Sequence, residues 1–311
     1  MLLSNTQAFS APGRDRLAEL EPATQALSRG DYKSAHAGFA RHAARNPLAQ
    51  FNLALMEQNG WGRPANERKA CRWFEKAAKG KIPAAQHFFG VCLVKGVDRP
   101  VDVPAAIQWF QQAADRGHLI SLCTAGELYI NGIGIARDAR HGLELCTQAA
   151  QKEVPLAMLR LADYYRAGKD VPQDLPAARY WYAQAAERHL HEAQYHLGVM
   201  LSEGQGGEPD LPAALFWLET AAGEGYAPAY LPTAILYANA GTQPETGMLA
   251  PEHLAKIYVW LMAAKKTAGN AAEQDEILKI EKMVLQVMPA SWRDQLDKQV
   301  GEHLAAFSRK K

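Results

Sequence analysis

Residues 157–186 read AMLRLADYYRAGKDVPQDLPAARYWYAQAA, and the same order of small, turn-forming and aromatic residues returns every 36 positions. Taking the leading alanine as position 0, the column runs Ala49, Ala85, Ser121, Ala157, Ala193 and Ala229. Five residues on stand Ala54, Gly90, Gly126, Ala162, Gly198 and Ala234. Eleven on stand Gly60, Gly96, Gly132, Gly168 and Gly204, with Ala240 as the departure. Seventeen on stand Asn66, Asp102, Asp138, Asp174 and Asp210. Aromatic pairs follow at Trp73-Phe74, Trp109-Phe110, Trp181-Tyr182 and, mixed, Trp217-Leu218. An alanine doublet then closes each unit, from Ala77-Ala78 to Ala221-Ala222. Columns held in phase over five units mark a tandem array.

Each unit reads as two helices. In the first, the small residue at position 5 admits a second backbone closely, and Leu53, Phe89, Leu161 and Leu197 begin an apolar stripe. Glycine at position 11 stops that helix, because it takes the left-handed conformation at little cost. Asn or Asp at position 17 restarts the chain as an N-cap. The restarts at Asp102, Asp174 and Asp210 each carry a proline two residues on (Pro104, Pro176, Pro212), inside the first turn where a missing N–H costs nothing.

These residues resemble the Sel-one-like repeat, a relative of the tetratricopeptide repeat, whose unit reads A-x-x-x-L-G-x-x-Y-x-x-G and then D-x-x-x-A-x-x-W-Y-x-x-A-A. The resemblance covers residues 48–266 as six repeats and implies an all-α fold, a right-handed α-α superhelix, or solenoid, of tandem helix pairs with helical caps. Departures are Gly142 for an alanine, Leu145-Cys146 for the aromatic pair, and a last unit lengthened between Gly241 and Pro251. Residues 1–21 form an N-terminal segment expected to be partly disordered. Residues 22–47 are expected to fold as a capping hairpin turning at Gly30-Asp31-Tyr32, and 267–311 as capping helices opened by Asn270-x-x-Glu273 and Ser291-x-x-Asp294.

Composition narrows the function. The chain has 311 residues, 48% of them hydrophobic, and a net charge of +1, so it buries a core and lacks the basic footprint of a nucleic-acid binder. No apolar run is long enough to span a bilayer. Met1 to Arg16 carries neither a charged leader nor an apolar core of signal length, so the cytoplasm is the expected location. Four cysteines are too few for a disulfide scaffold. Exported members of the resembled family pair cysteines in one register of successive repeats, whereas Cys71, Cys92, Cys123 and Cys146 share none; all four are therefore expected to be reduced packing residues.

No catalytic constellation stands out. His189, His191 and His196, with Glu187 and Glu192 nearby, are the one histidine cluster, and would serve a metal-dependent hydrolase only if their ligand atoms converged. The glycines at 132–134 and 204–207 are repeat loops with no strand before them. The chain is thus expected to be no enzyme and to hold no cofactor or metal. What varies between units is the face that the resemblance assigns to the concave groove. It comprises Phe51, Leu55 and Asn59; His87, Val91 and Lys95; Glu127, Ile130 and Asn131; Leu159, Asp163 and Arg166; Tyr195 and Val199. The expectation is a bacterial-type scaffold or adaptor that binds another protein there, as a peptide or a helix. The alternative is an inhibitor or immunity-type protein that holds an effector by the long 239–251 loop or a rim.

Overall fold

The structure, a computed structural model, describes residues 16–240 and 251–308; the 241–250 part of the long loop and most of the N-terminal segment lie outside the described residues. Every regular element described is helical. In chain order they are α1 Glu21–Ser28, α2 Tyr32–His42, α3 Pro47–Asn59, α4 Glu67–Lys79, α5 Pro83–Lys95, α6 Val103–Ala114, α7 Ile120–Asn131 and α8 Ala139–Gln151. Then follow α9 Pro155–Ala167, α10 Leu175–Ala186, α11 His191–Glu203, α12 Leu211–Gly223, α13 Tyr230–Ala240, α14 Pro251–Thr267, α15 Ala271–Val287 and α16 Arg293–Ser308. Within each repeat the two helices pack on one another, the arrangement of an α-solenoid. The chain forms two compact units, residues 1–152 and 153–311.

Backbone chemistry builds each hairpin. Gly60, Gly96, Gly132, Gly168 and Gly204 end the first helices in the left-handed conformation, with φ between 63° and 68°. Asn66, Asp102, Asp138, Asp174 and Asp210 open the second helices, each side chain accepting the N–H three residues on at 2.9–3.0 Å. The same five residues donate their own N–H to the carbonyls of Glu57, Leu93, Tyr129, Tyr165 and Leu201, at 2.7–3.0 Å. One residue therefore fixes both the start of the second helix and its distance from the first.

The turn between repeats has a left-handed residue too, which the column reading did not find. It is Lys81, Gly117, Glu153, His189 or Gly225, with φ of 65°, 93°, 60°, 59° and 87°. Side chains other than glycine there cost roughly 1 kcal/mol of backbone strain, small enough for sequence to drift. Beside two of these turns Gln86 and Gln194 reach back to the carbonyls of Ala78 and Ala186, and ahead of the first repeat Gln50 does the same to Ala43, satisfying the end of the preceding helix.

In the first unit, α1 and α2 pack together over Ala35 and Phe39, both fully buried. The cysteines depart from expectation: Cys71 is bonded to Cys92, joining α4 to α5, and Cys123 to Cys146, joining α7 to α8. Repeat register sets each cysteine beside its equivalents in other units, not beside the residues it touches. A disulfide joins residues that face each other, and in a helix pair those occupy different columns. Position 2 of a first helix meets position 25 of its second helix: Phe51 lies 5.9 Å from Phe74 and His87 lies 5.4 Å from Phe110, ring centroid to centroid. In the third repeat that same pair is Cys123 and Cys146.

This also explains the irregularities of that repeat. With no aromatic ring between them, α7 and α8 close until the Cα atoms of Cys123 and Cys146 are 3.9 Å apart. Gly126 and Gly142 face each other at the crossing, where a Cβ on either would come within 2.4 Å of the other's carbonyl oxygen. Gly142 and Cys146 are one adaptation.

In the second unit the core runs from Ala221 and Tyr230 through α14 to Ile277, Ile280, Val284, Leu296 and Val300 of α15 and α16. Asn270 caps α15 as expected, accepting the Glu273 N–H at 2.9 Å, while the Glu273 carboxylate accepts from the Gly269 N–H at 3.2 Å. Ser291 does not open a helix; it lies in a 3₁₀ turn, Ala290–Trp292, ahead of α16. Phe307 rests against Gly225, leaving no room for a Cβ there.

Candidate partner-binding site

The face to be tested is that of the first helices, and its residues fall into several environments. In the first unit Phe51 and Val91 are half-buried beside the core. Asn59 and Asn131 turn their amides back onto the carbonyls of Leu55 and Glu127, both at 2.8 Å. Lys95 pairs with Glu67 at 2.9 Å. His87 shares the buried Ser121 hydroxyl with His118, its Nδ1 at 3.0 Å and that of His118 at 2.8 Å. One hydroxyl carries one proton, so the two ring nitrogens cannot both accept from it and at least one of them donates to it. Burial holds His118 below the usual imidazole range.

Two assigned residues are not on the surface. Ile130 is 0% and Leu159 3% exposed, so both belong to the interior and neither can touch a partner. Helical register explains this: position 2 faces its own second helix, and Ile130 rests against Gly142 where that helix comes closest.

The second unit gathers more chemistry. Tyr182, in the column otherwise filled by Phe74, Phe110, Cys146 and Leu218, is fully buried, yet its hydroxyl reaches the first-helix face. It donates to Asp163 Oδ1 at 2.5 Å and accepts from Arg166 Nε at 2.9 Å. Burial, with the Asp163 carboxylate beside it, drives this phenol far above its ordinary range, so it stays protonated. Asp163 and Arg166 are thus held at fixed places while remaining partly exposed. His196 lies against Tyr182 and Tyr195, with ring centroids 5.1 and 5.0 Å away, and burial lowers its pKa. The sequence did show a tyrosine where other repeats carry phenylalanine or leucine; what its oxygen would touch was not legible.

Beside this cluster α11 and α13 enclose a cavity of about 580 Å³ lined by Tyr195, Val199, Ser202 and Glu203 together with Pro232, Ile235 and Asn239. Leu211 and Leu218 of α12, with Leu236 and Ala240, complete the lining; Tyr195, Val199, Ser202, Glu203, Ile235 and Asn239 stand at variable first-helix positions, of which Tyr195 and Val199 were assigned from sequence. Tyr195 also borders a second cavity of about 340 Å³, walled by Leu231, Thr267, Glu273 and Ile277. Its ring stands 5.7 Å from that of Tyr226, which burial and then Glu192 push up to about 12.

The histidines of the suggested metal cluster are put to separate uses. His189 is an exposed turn residue at positive φ, His191 pairs with Glu224 at 2.6 Å, and His196 is the ring packed on Tyr182. Among the described residues no three His, Cys, Asp or Glu side chains are placed to hold a metal ion, and no helix is long and apolar enough to cross a membrane.

A family model described as Sel1 repeat matches residues 47–81, 83–118, 122–154, 155–189 and 191–226, which is five of the expected six units. Among solved structures, a Sel1 repeat protein from Oxalobacter formigenes is 26% identical with a TM-score of 0.62, over 80% of this chain and 99% of that one. The protective antigen c5321 of uropathogenic Escherichia coli, with an SLR fold, is 24% identical with a TM-score of 0.56, over 89% of this chain and 62% of its own. No curated protein matches the chain.

Proposed function

The chain belongs to the Sel1-repeat family, and on that footing we propose that it is a non-enzymatic scaffold or adaptor that holds a peptide or helix of another protein against its first-helix face. The observation that carries the reading is the cavity of about 580 Å³ between α11 and α13, six of whose lining residues occupy variable positions of otherwise repeating helices. Packing fixes the recurring columns, and Tyr195, Val199, Ser202, Glu203, Ile235 and Asn239 are released from it. Such a site suits an apolar anchor ringed by polar contacts. Asp163 and Arg166 extend the face, and Phe51, Leu55, His87 and Val91 line its counterpart in the first unit.

The test is capture by the full-length chain of partners from its native host, compared with Tyr195→Ala/Val199→Glu. The double substitution loses the partner while circular dichroism and melting stay as in the parent. Undiminished capture would move the binding surface elsewhere.

Two buried disulfides support work in an oxidising compartment in place of the expected cytoplasm, since reducing compartments keep such thiols free. Intact mass of protein isolated from its host, alkylated without reductant, checks this: four alkyl groups would restore the cytoplasmic reading.

A further inference from the structure

The near-neutral net charge conceals an uneven distribution. Between Arg188 and Lys256 there is no lysine or arginine, while eight acids occur: Glu192, Glu203, Glu208, Asp210, Glu219, Glu224, Glu245 and Glu252. Several are spent locally. Asp210 caps α12, Glu219 binds Lys256 and the Tyr237 hydroxyl, and Glu224 meets His191. Glu192 and Glu203 differ, for neither has a cationic partner among the described residues, and the side chain hydrogen-bonded to Glu203 is that of Gln205.

Their placement on α11 gives the pattern meaning. Glu192, Tyr195, Val199 and Glu203 stand three to four residues apart, so they share one helical stripe with an acid at each end and apolar side chains between. Tyr195, Val199 and Glu203 of that stripe line the cavity, and Glu192 continues the stripe one turn before them. The nearest cation assigned to this face, Arg166, is engaged by the Tyr182 hydroxyl and lies 3.9 Å from Asp163.

Resting on the scaffold reading, we infer that the α11–α13 site takes a cationic amphipathic segment of a partner protein. An apolar side chain of that segment enters the cavity against Tyr195, Val199 and Ile235. Lysine or arginine residues about one to three turns apart along it meet Glu192 and Glu203. Charge complementarity selects this occupant, because an acidic segment would face two carboxylates without a cationic partner, beside a cavity with no cation among its lining residues.

A pair of fluorescein-labelled synthetic helix-forming peptides tests it, sharing one leucine face and differing only in lysine or glutamate elsewhere. Anisotropy titration against the full chain at low ionic strength should favour the lysine peptide by about tenfold, a preference that fades as salt rises. Glu192→Gln/Glu203→Gln should weaken the lysine peptide about fivefold, while Glu187→Gln/Glu208→Gln, outside the stripe, leaves it unchanged. Equal binding of the two peptides, both weakened by Tyr195→Ala/Val199→Glu, overturns the cationic chemistry and leaves the groove reading standing. A lysine preference that survives Glu192→Gln/Glu203→Gln, or falls equally with the control pair, overturns the site. No binding by either peptide, or binding indifferent to Tyr195→Ala/Val199→Glu, counts against the groove itself.

Discussion

Where a first helix meets its own second helix, residues 16–152 use Phe51 on Phe74, His87 on Phe110 and Cys123 bonded to Cys146, whereas residues 153–308 place Leu159 and Tyr195 opposite Tyr182 and Leu218. The first unit is closed by tilted aromatic contacts and sulfur. The second contains no cysteine, admits a phenol oxygen through its core, and leaves two cavities beside Tyr195. One repeat geometry thus tolerates two fillings of the same contact. The covalent filling tightens a helix pair, and the polar, looser filling presents chemistry on a face.

The largest test of that contrast is reduction. Each disulfide closes a loop of 21 or 23 residues, and opening one removes about 3 kcal/mol by the chain-entropy estimate. Hydrogen exchange in reductant should show lost protection in α4, α5, α7 and α8 with α11–α13 unchanged; uniform loss would show that the units do not differ in this way. Next comes Gly142→Ala, which the repeat consensus and helix propensity both recommend. The close approach to Gly126 predicts instead a loss of about 1–3 kcal/mol in chemical denaturation. A gain would mean that α7 and α8 are not in contact there.

Tyr182→Phe sharpens the other side. It removes one donor and one acceptor from Asp163 and Arg166, costing about 1 kcal/mol, and loosens Arg166, visible as altered arginine Nε resonances by NMR. His189→Gly relieves a left-handed histidine and should raise stability by roughly 0.5–1 kcal/mol; a loss would mean that the imidazole makes a contact of its own.

The smallest effect is that of pH. Burial lowers the pKa of His36, His118, His196 and His303, so the unfolded chain takes up protons at about 6.5, before the folded one does. Stability present above about pH 6.5 is therefore lost as pH falls through the lower folded values, and melting followed from pH 8 to 5 should decline across that window. His118→Gln and His196→Gln should each flatten the curve.

How much of this could be read beforehand depends on whether a residue acts within its own repeat unit in a fixed way. Gly60 and Asp102 do, and both their conformations and their caps followed from type and spacing. Lys81, Glu153 and His189 share a backbone conformation without sharing chemistry, so their column was invisible. Ile130 and Leu159 look like groove residues in the repeat pattern and are core residues in space. Tyr182 and the four cysteines were read as packing because a column shows what replaces a residue, and only a contact shows what faces it.

The sequence by itself determined that the chain is an array of helix pairs, where most of those helices begin and end, and which positions recur for packing. Local backbone preferences and a 36-residue period suffice for that, since each acts over a few residues. Tertiary structure alone decided the disulfide partners, the passage of the Tyr182 hydroxyl to Asp163 and the shape of the α11–α13 cavity. These depend on how closely particular helices approach, a distance set jointly by side chains from different columns.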